Sequence, residues 1–554
     1  MAATGGSRSS GRAGGAVTGP RLHAAALALL LLAFALAAGR FVWHDSLASA
    51  ADDSVHYLLM GRYLSPWTDA GPVLQAAWDG QHYPPLFPLL LALTGAAHSL
   101  PAAHWLVAVC ALVSLGLLYR LVARCTAHGW IAWLVTLCFA ASPALWSNLL
   151  GILSENLYLA LSLALLLWGS SEPVRRGSEV SWRQRQGGHS TWLVPALLLS
   201  AVVLTRTIGV ALLLAWVLTV SLPQWRSEGK WAAWLPPALA VAFLLSWWWL
   251  KPGSEAGHYL PILSGVLHPG TVTDGPEWSF PAQWQALRDA WFAAWMVYWR
   301  DGWDARQVLV SLLAVTALAG LGFRLWRGRL DAWYALVYLL VLLIWPHPGQ
   351  MERLLYPLLP VLLLQAVSLL AALPRHGGRV ALMVLALLAA MVVPSLVFYW
   401  QRADVAPEYA AYREFYEQAD LRRARWDADR QRTLLADLRR VGESTPAGAG
   451  VLYFEPAYIS LLAGRRGLAF PHLRDPLEFR RQVWKSGAEY VYLSRLHPRD
   501  TRAGVDGLSW LRAFSGWARL VWQRSLPESG EPFSVLLRID RERLAQRLES
   551  SLSK

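Results

Sequence analysis

The chain has 554 residues, 55% of them apolar and only 16% charged, with 50 Lys and Arg against 37 Asp and Glu. Soluble domains carry about 25% charge, so these figures exclude a wholly soluble protein, and they equally exclude a disordered one. The net charge of +13 leaves nucleic acid, a membrane surface or an anionic substrate as partners, to be separated by where the charge lies.

Residues 1–21 are rich in Gly, Ala and Ser and carry Arg8 and Arg12, which predicts a disordered cytoplasmic N-terminus. Eleven apolar runs follow, at 22–40, 102–120, 129–146, 151–168, 192–205, 207–222, 231–250, 305–323, 332–345, 354–373 and 380–400. Each is read as a membrane span, although several fall short of the roughly 17–25 residues of a full crossing. With the N-terminus inside, sixteen Lys and Arg fall in the inner segments and seven in the outer ones, the asymmetry of positively charged cytoplasmic loops. Eleven crossings then place the C-terminus outside.

Two outer loops are long, 41–101 and 251–304. In the second, Trp291, Trp295 and Trp299 recur every fourth residue after Trp284, so they share one helical face. That face predicts an amphipathic helix on the outer leaflet. From about 401 the composition changes. A charged helical stretch at 408–440 precedes strand-like runs at 451–454, 489–493 and 535–539, with helical segments such as 475–486 between them. This alternation predicts a soluble α/β domain over 401–554. It carries no Gly-rich phosphate loop. Its 26 basic residues are mixed with acidic ones, which describes a solvated surface and not a nucleic-acid face. Cys110, Cys125 and Cys138 lie in or beside apolar runs without metal-ligand spacing. The fold class is therefore mostly α: a polytopic membrane domain over 22–400 with about eleven transmembrane helices, and a C-terminal soluble α/β domain.

The polar residues that could carry chemistry all fall at the outer edge, where ionisable groups are functional candidates by default. Asp52-Asp53-Ser54-Val55-His56-Tyr57 opens the first outer loop; Asp52 and His56 are four apart and share a helix face. Neighbouring carboxylates raise one another's pKa, which suits a general base. Gln81-His82-Tyr83-Pro84-Pro85 leads into an apolar segment at 85–98 that is too short to span. Ser154-Glu155-Asn156 starts the fourth run, where the helix dipole favours an acid. Thr205-Arg206-Thr207 separates two short runs. Gln350-Met351-Glu352-Arg353, followed by Tyr356-Pro357, precedes the tenth. Two outer arginines facing an acidic loop suit an anionic lipid phosphate.

This order of motifs resembles the GT-C superfamily of integral membrane glycosyltransferases, most of all its protein mannosyltransferase and lipid A aminoarabinose transferase branch (glycosyltransferase family 39). The resemblance covers about 30–400 by topology and motif order. It implies an inverting transfer of a sugar from a polyprenyl-phosphate donor to an acceptor hydroxyl on a glycan, lipid or protein, at the outer face of the membrane; the Arg-, Ala- and Leu-rich composition with only four Lys points to a GC-rich bacterial genome and hence to the inner membrane. Asp52, with Asp53 beside it, would be the catalytic acid pair. Arg353, Arg206 and His82 would hold the donor phosphate, with Glu155, His56, Tyr57 and Tyr356 in support. The resemblance fixes no cofactor; a divalent metal is compatible with the acid pair. The rival classes are a polytopic transporter and a non-catalytic lipid- or glycan-binding scaffold.

Overall fold

The computed structural model describes residues 18–47, 52–80, 83–170, 190–228, 231–251, 279–297, 304–345, 347–401, 403, 421–471, 475–495, 511–525 and 532–552. Its first helix, α1, runs Thr18–Val42, so 18–21 is helical where disorder was expected; residues 1–17 lie outside the described residues. Next come α2 (Asp52–Leu64), α3 (Pro72–Asp79), α4 (Leu86–Leu93), α5 (Leu100–Thr126), α6 (Gly129–Ala140), α7 (Pro143–Leu149), α8 (Glu155–Gly169) and α9 (Ser190–Thr205). Further long apolar helices cover Ala305–Trp326 and Gly377–Gln401.

Seven helices among the described residues are long and apolar enough to cross a membrane, and α6 with α7 makes an eighth if that bent pair is one span. Three shorter apolar helices, at Glu155–Gly169, Trp192–Thr205 and Leu330–Ile344, account for the remaining runs. Backbone polar groups have no water to bond in a bilayer, which is why each apolar run closes into a helix. The run at 129–146 bends by 53° because Ser142 caps a new helix, accepting from Leu145 N, with Pro143 at its first turn. Close packing is visible at Gly320, where an added Cβ would lie 2.1 Å from the Gln365 carbonyl oxygen. Only glycine lets the helices Ala305–Trp326 and Leu359–Ala371 touch so closely.

Four features of the first outer loop organise the site. The Pro84-Pro85 approach ends in α4, which packs its buried Phe87 and Leu91 against α2. The α2 core positions Val55, Leu58 and Leu59 are fully buried or nearly so. Arg62 at the end of α2 donates from Nη1 to the Leu461 carbonyl at 2.7 Å, and Arg439 pairs with Asp45 at 3.1 Å. The C-terminal unit is thereby seated on α2 and on the segment that follows α1.

That unit holds a five-stranded sheet in the order β2-β1-β3-β5-β4, with β1 Gly450–Tyr453, β2 Arg466–Ala469, β3 Tyr490–Ser494, β4 Ala518–Ser525 and β5 Pro532–Ile539. Strand β1 pairs in parallel with β2 and β3, and β5 is antiparallel to β3 and β4. Alternate residues point to opposite faces. Tyr453, Tyr492 and Trp522 pack toward the helix Leu421–Ser444 and the membrane helices. Leu452, Val491 and Leu537 pack with Phe479, Phe514 and Leu544 on the other face.

The Trp face at 284–299 corrects the sequence expectation. The helix is Phe280–Trp295; Trp284 is exposed, but Trp291 and Trp295 are buried in the core, and Trp299 lies outside the described residues. The four-residue spacing identifies a shared face without saying which way it points, and here it points at protein.

Candidate active site

The site forms where α2, α8, the break after α9 and the short helix Met351–Leu355 meet. Each element delivers one charged side chain. On α2, Asp53 and Tyr57 are four apart and therefore share a face. Glu155 is the first residue of α8, where exposed backbone amides favour an anion. Arg206 interrupts the helical run in an extended conformation (φ −153°, ψ 138°). The turn after it packs tightly: a Cβ on Gly209 would stand 2.9 Å from the Val202 carbonyl oxygen.

These four charges form one cluster. Arg206 Nη1 lies 2.5 Å from Glu155 Oε1. Arg353 bridges both carboxylates, pairing through Nε with Glu155 and through Nη2 with Asp53 Oδ2 at 2.5 Å. The Tyr83 hydroxyl donates to Asp53 Oδ1 at 2.6 Å. Glu155 is fully buried, whereas the side chains of Asp53 and Arg353 are 22% and 24% exposed. The cluster therefore opens more at its Asp53–Arg353 edge than at its Glu155–Arg206 edge.

A second layer fixes the first. Tyr57 and Ser154 share a hydrogen bond at 3.0 Å, and Ser54 Oγ accepts from Ile152 N at 3.1 Å. The Tyr356 hydroxyl donates to Asn156 Oδ1 at 2.6 Å, and Asn156 Nδ2 donates to the Asn148 carbonyl at 3.1 Å. The Tyr83 ring packs against those of Tyr57 and His56, with centroids 5.0 and 5.9 Å away.

Burial alone would raise the Asp53 pKa. The Arg353 guanidinium and the Tyr83 hydrogen bond outweigh burial and hold it below the ordinary carboxylate value. Burial and the Asp53 charge push the Tyr83 phenol up, so it remains a donor.

Of the residues singled out from sequence, Asp53, Glu155, Arg206 and Arg353 come into direct contact, with Tyr57 and Tyr356 in the supporting layer. Tyr356 contacts Asn156 and not the charged groups directly. Asp52 begins α2, but its side chain lies outside what is described, as does His82 altogether. Sequence reasoning missed Tyr83 as a partner of Asp53. Its signal was present: it is the aromatic residue directly before Pro84-Pro85, whose rigidity fixes where the preceding side chain lands.

The acid pair left a divalent metal open. Among the described residues no group of three or more His, Cys, Asp and Glu is placed to hold one. Three of the four oxygens of Asp53 and Glu155 face Arg353, Arg206 or Tyr83, and Glu155 Oε2 is buried without a partner among the described residues. Two guanidiniums at this range repel a dication, so these carboxylates do not fit a metal ion in this arrangement.

An apolar cavity of about 550 Å³ lies between the helices Phe280–Trp295, Ala305–Trp326 and Leu330–Ile344, and none of the four charged side chains lines it. Its lining includes Trp284, Arg288, Ala314, Leu318, Leu340 and Leu355, the last only two residues after Arg353.

Among solved structures the chain is similar to ArnT from Cupriavidus metallidurans in the apo state, at 13% identity and a TM-score of 0.55, covering 93% of this chain and 98% of that one. Two further similar structures are the same protein bound to undecaprenyl phosphate (14% identity, TM-score 0.48, 92% and 97% covered) and the arabinofuranosyltransferase AftD from mycobacteria (16% identity, TM-score 0.46, 95% and 40% covered). No family model matches the chain, and no curated protein does. The chain shares the fold of ArnT over nearly the full length of both chains, and with its apolar helices it is an integral membrane protein of that fold.

Proposed function

We propose that the protein is an inverting glycosyltransferase that moves a sugar from a polyprenyl-phosphate donor to an acceptor hydroxyl at the extracytoplasmic face of a bacterial inner membrane. The observation that carries this reading is the Asp53–Arg353–Glu155–Arg206 cluster, open at one edge, on a chain that also holds an apolar cavity reaching Leu355 of the helix that carries Arg353. A polyprenyl phosphate has the matching shape: an anionic head for the arginines and a long apolar tail for the cavity.

The chemistry follows from the leaving group. A sugar on phosphate departs as a stable anion, so no general acid is needed, unlike glycoside hydrolysis with its two carboxylates. The acceptor O–H loses its proton to a carboxylate while its oxygen bonds to the anomeric carbon. The bond from that carbon to the phosphate oxygen breaks, and its electron pair leaves with the phosphate. Arg353 and Arg206 stabilise that charge as it develops. A single displacement inverts the anomeric centre.

We place the base at Asp53 in preference to Asp52. Asp53 lies on the α2 face that meets the arginines, and a helix turns about 100° per residue, carrying Asp52 onto the neighbouring face with His56. Glu155, pinned by both arginines, orients them. The test uses purified protein and a labelled polyprenyl-phosphate sugar. Release of polyprenyl phosphate by the wild type and its loss in Asp53→Asn support the reading; undiminished release by the variant refutes the assignment.

A further inference from the structure

Arg353 is held by two carboxylates that differ in one respect. Glu155 is fully buried, whereas Asp53 lies on the open edge, where it and Arg353 are both partly exposed. An anion approaching the cluster therefore meets Arg353 on the side that Asp53 occupies. The four described charges also sum to zero, two carboxylates against two guanidiniums. Arg353 spends Nε on Glu155 and Nη2 on Asp53, so a phosphate that grips it bidentately through Nη1 and Nη2 must take the place of Asp53, the carboxylate that can move toward solvent.

We infer that Asp53 is a displaceable anionic plug on Arg353: the donor phosphate exchanges with it, and the exchange frees Asp53 to act as the base. This inference rests on the donor proposed above. Tyr83 is the pivot. Its hydroxyl holds the other carboxylate oxygen, Oδ1, and keeps Asp53 beside the cluster while Oδ2 leaves Arg353. Tyr83 is thus a positioning residue, acting through Asp53.

Arg353 is among the causes that hold the Asp53 pKa down. Losing that contact raises it, so the carboxylate becomes a stronger base at the moment the donor arrives. Before the donor binds, Asp53 is paired and a poor base. The exchange thereby imposes an order, donor before proton abstraction, and suppresses activation of the acceptor hydroxyl without a donor in place.

The test measures binding of undecaprenyl phosphate, with undecaprenol as the uncharged reference, to the full chain in nanodiscs. If Asp53 competes with phosphate, Asp53→Asn binds undecaprenyl phosphate about 10-fold more tightly than wild type, a gain of about 1.4 kcal/mol. Asp45→Asn, which removes an acid paired with Arg439, changes affinity less than about 2-fold if the effect is local and not one of overall charge. Carbodiimide labelling of the wild type gives a second reading that needs no variant. Labelling of Asp53 rises when undecaprenyl phosphate is added if the carboxylate is released, and falls or stays constant if it is not. Wild type that binds the phosphate while Asp53→Asn binds it equally or more weakly overturns the inference and leaves the donor reading standing. Wild type that does not distinguish undecaprenyl phosphate from undecaprenol overturns both.

Discussion

Replacing Glu155 with Gln removes the fully buried carboxylate of the cluster and leaves two guanidiniums beside a single remaining acid. Breaking a buried ion pair by removing one partner costs about 3–5 kcal/mol, because the other charge stays desolvated. Arg206 is 12% exposed and Glu155 is its one carboxylate partner among the described residues. Arg353 is 24% exposed and keeps Asp53. The cost therefore falls mainly on Arg206, and a destabilisation of about 4 kcal/mol is expected for Glu155→Gln. Arg206→Gln should cost about 3 kcal/mol, since it leaves Glu155 still paired with Arg353. The double variant carries no unpaired charge, so it should be about 2 kcal/mol more stable than the two single losses added together, within the range for residues in contact. Unfolding in detergent, followed by intrinsic fluorescence under identical conditions for all four proteins, measures the cycle. Additive losses, or single variants within about 1 kcal/mol of wild type, would refute the claim that Glu155 organises the arginines.

Tyr83→Phe removes a hydrogen bond that lowers the Asp53 pKa, so the pKa rises and the acid limb of the kcat profile moves to higher pH. We expect kcat to fall about 10-fold with the donor KM little changed, and an unshifted acid limb would separate Tyr83 from Asp53. Arg353→Lys keeps the charge but cannot bridge two carboxylates as a planar fork does; transfer should drop about 100-fold, measured by donor turnover. Ala314→Trp fills the apolar cavity and should raise the KM of a long-chain donor about 10-fold while sparing a donor with a short tail. Gly320→Ala drives a methyl group into the Gln365 carbonyl and should cost about 1–3 kcal/mol of stability, the usual penalty of overpacking.

The apolar runs were legible because a bilayer permits them only one backbone solution, the helix. The charged members of the site were legible for a related reason: Asp53, Glu155, Arg206 and Arg353 are expensive at a membrane edge unless they are used or paired. Their pairing was not legible. Glu155 read as an acid favoured by a helix start, and only the approach of three other elements reveals that it holds two arginines. Periodicity located the Trp291–Trp295 face and could not tell protein from lipid. Strands β2 and β4 escaped detection because β2 is four residues with an Arg and a Gly, and β4 exposes Leu520 and Val521 at the sheet edge. Neither carries the buried apolar run that marked β1, β3 and β5.

Whether the cluster transfers a sugar from polyprenyl phosphate with Asp53 as base is decided by turnover of an anomerically defined, labelled polyprenyl-phosphate sugar by purified protein, with the stereochemistry of the product determined. The wild type is expected to release polyprenyl phosphate with inversion at the anomeric carbon, and folded Asp53→Asn to transfer nothing. Retention of configuration, or equal transfer by that variant, would contradict this mechanism.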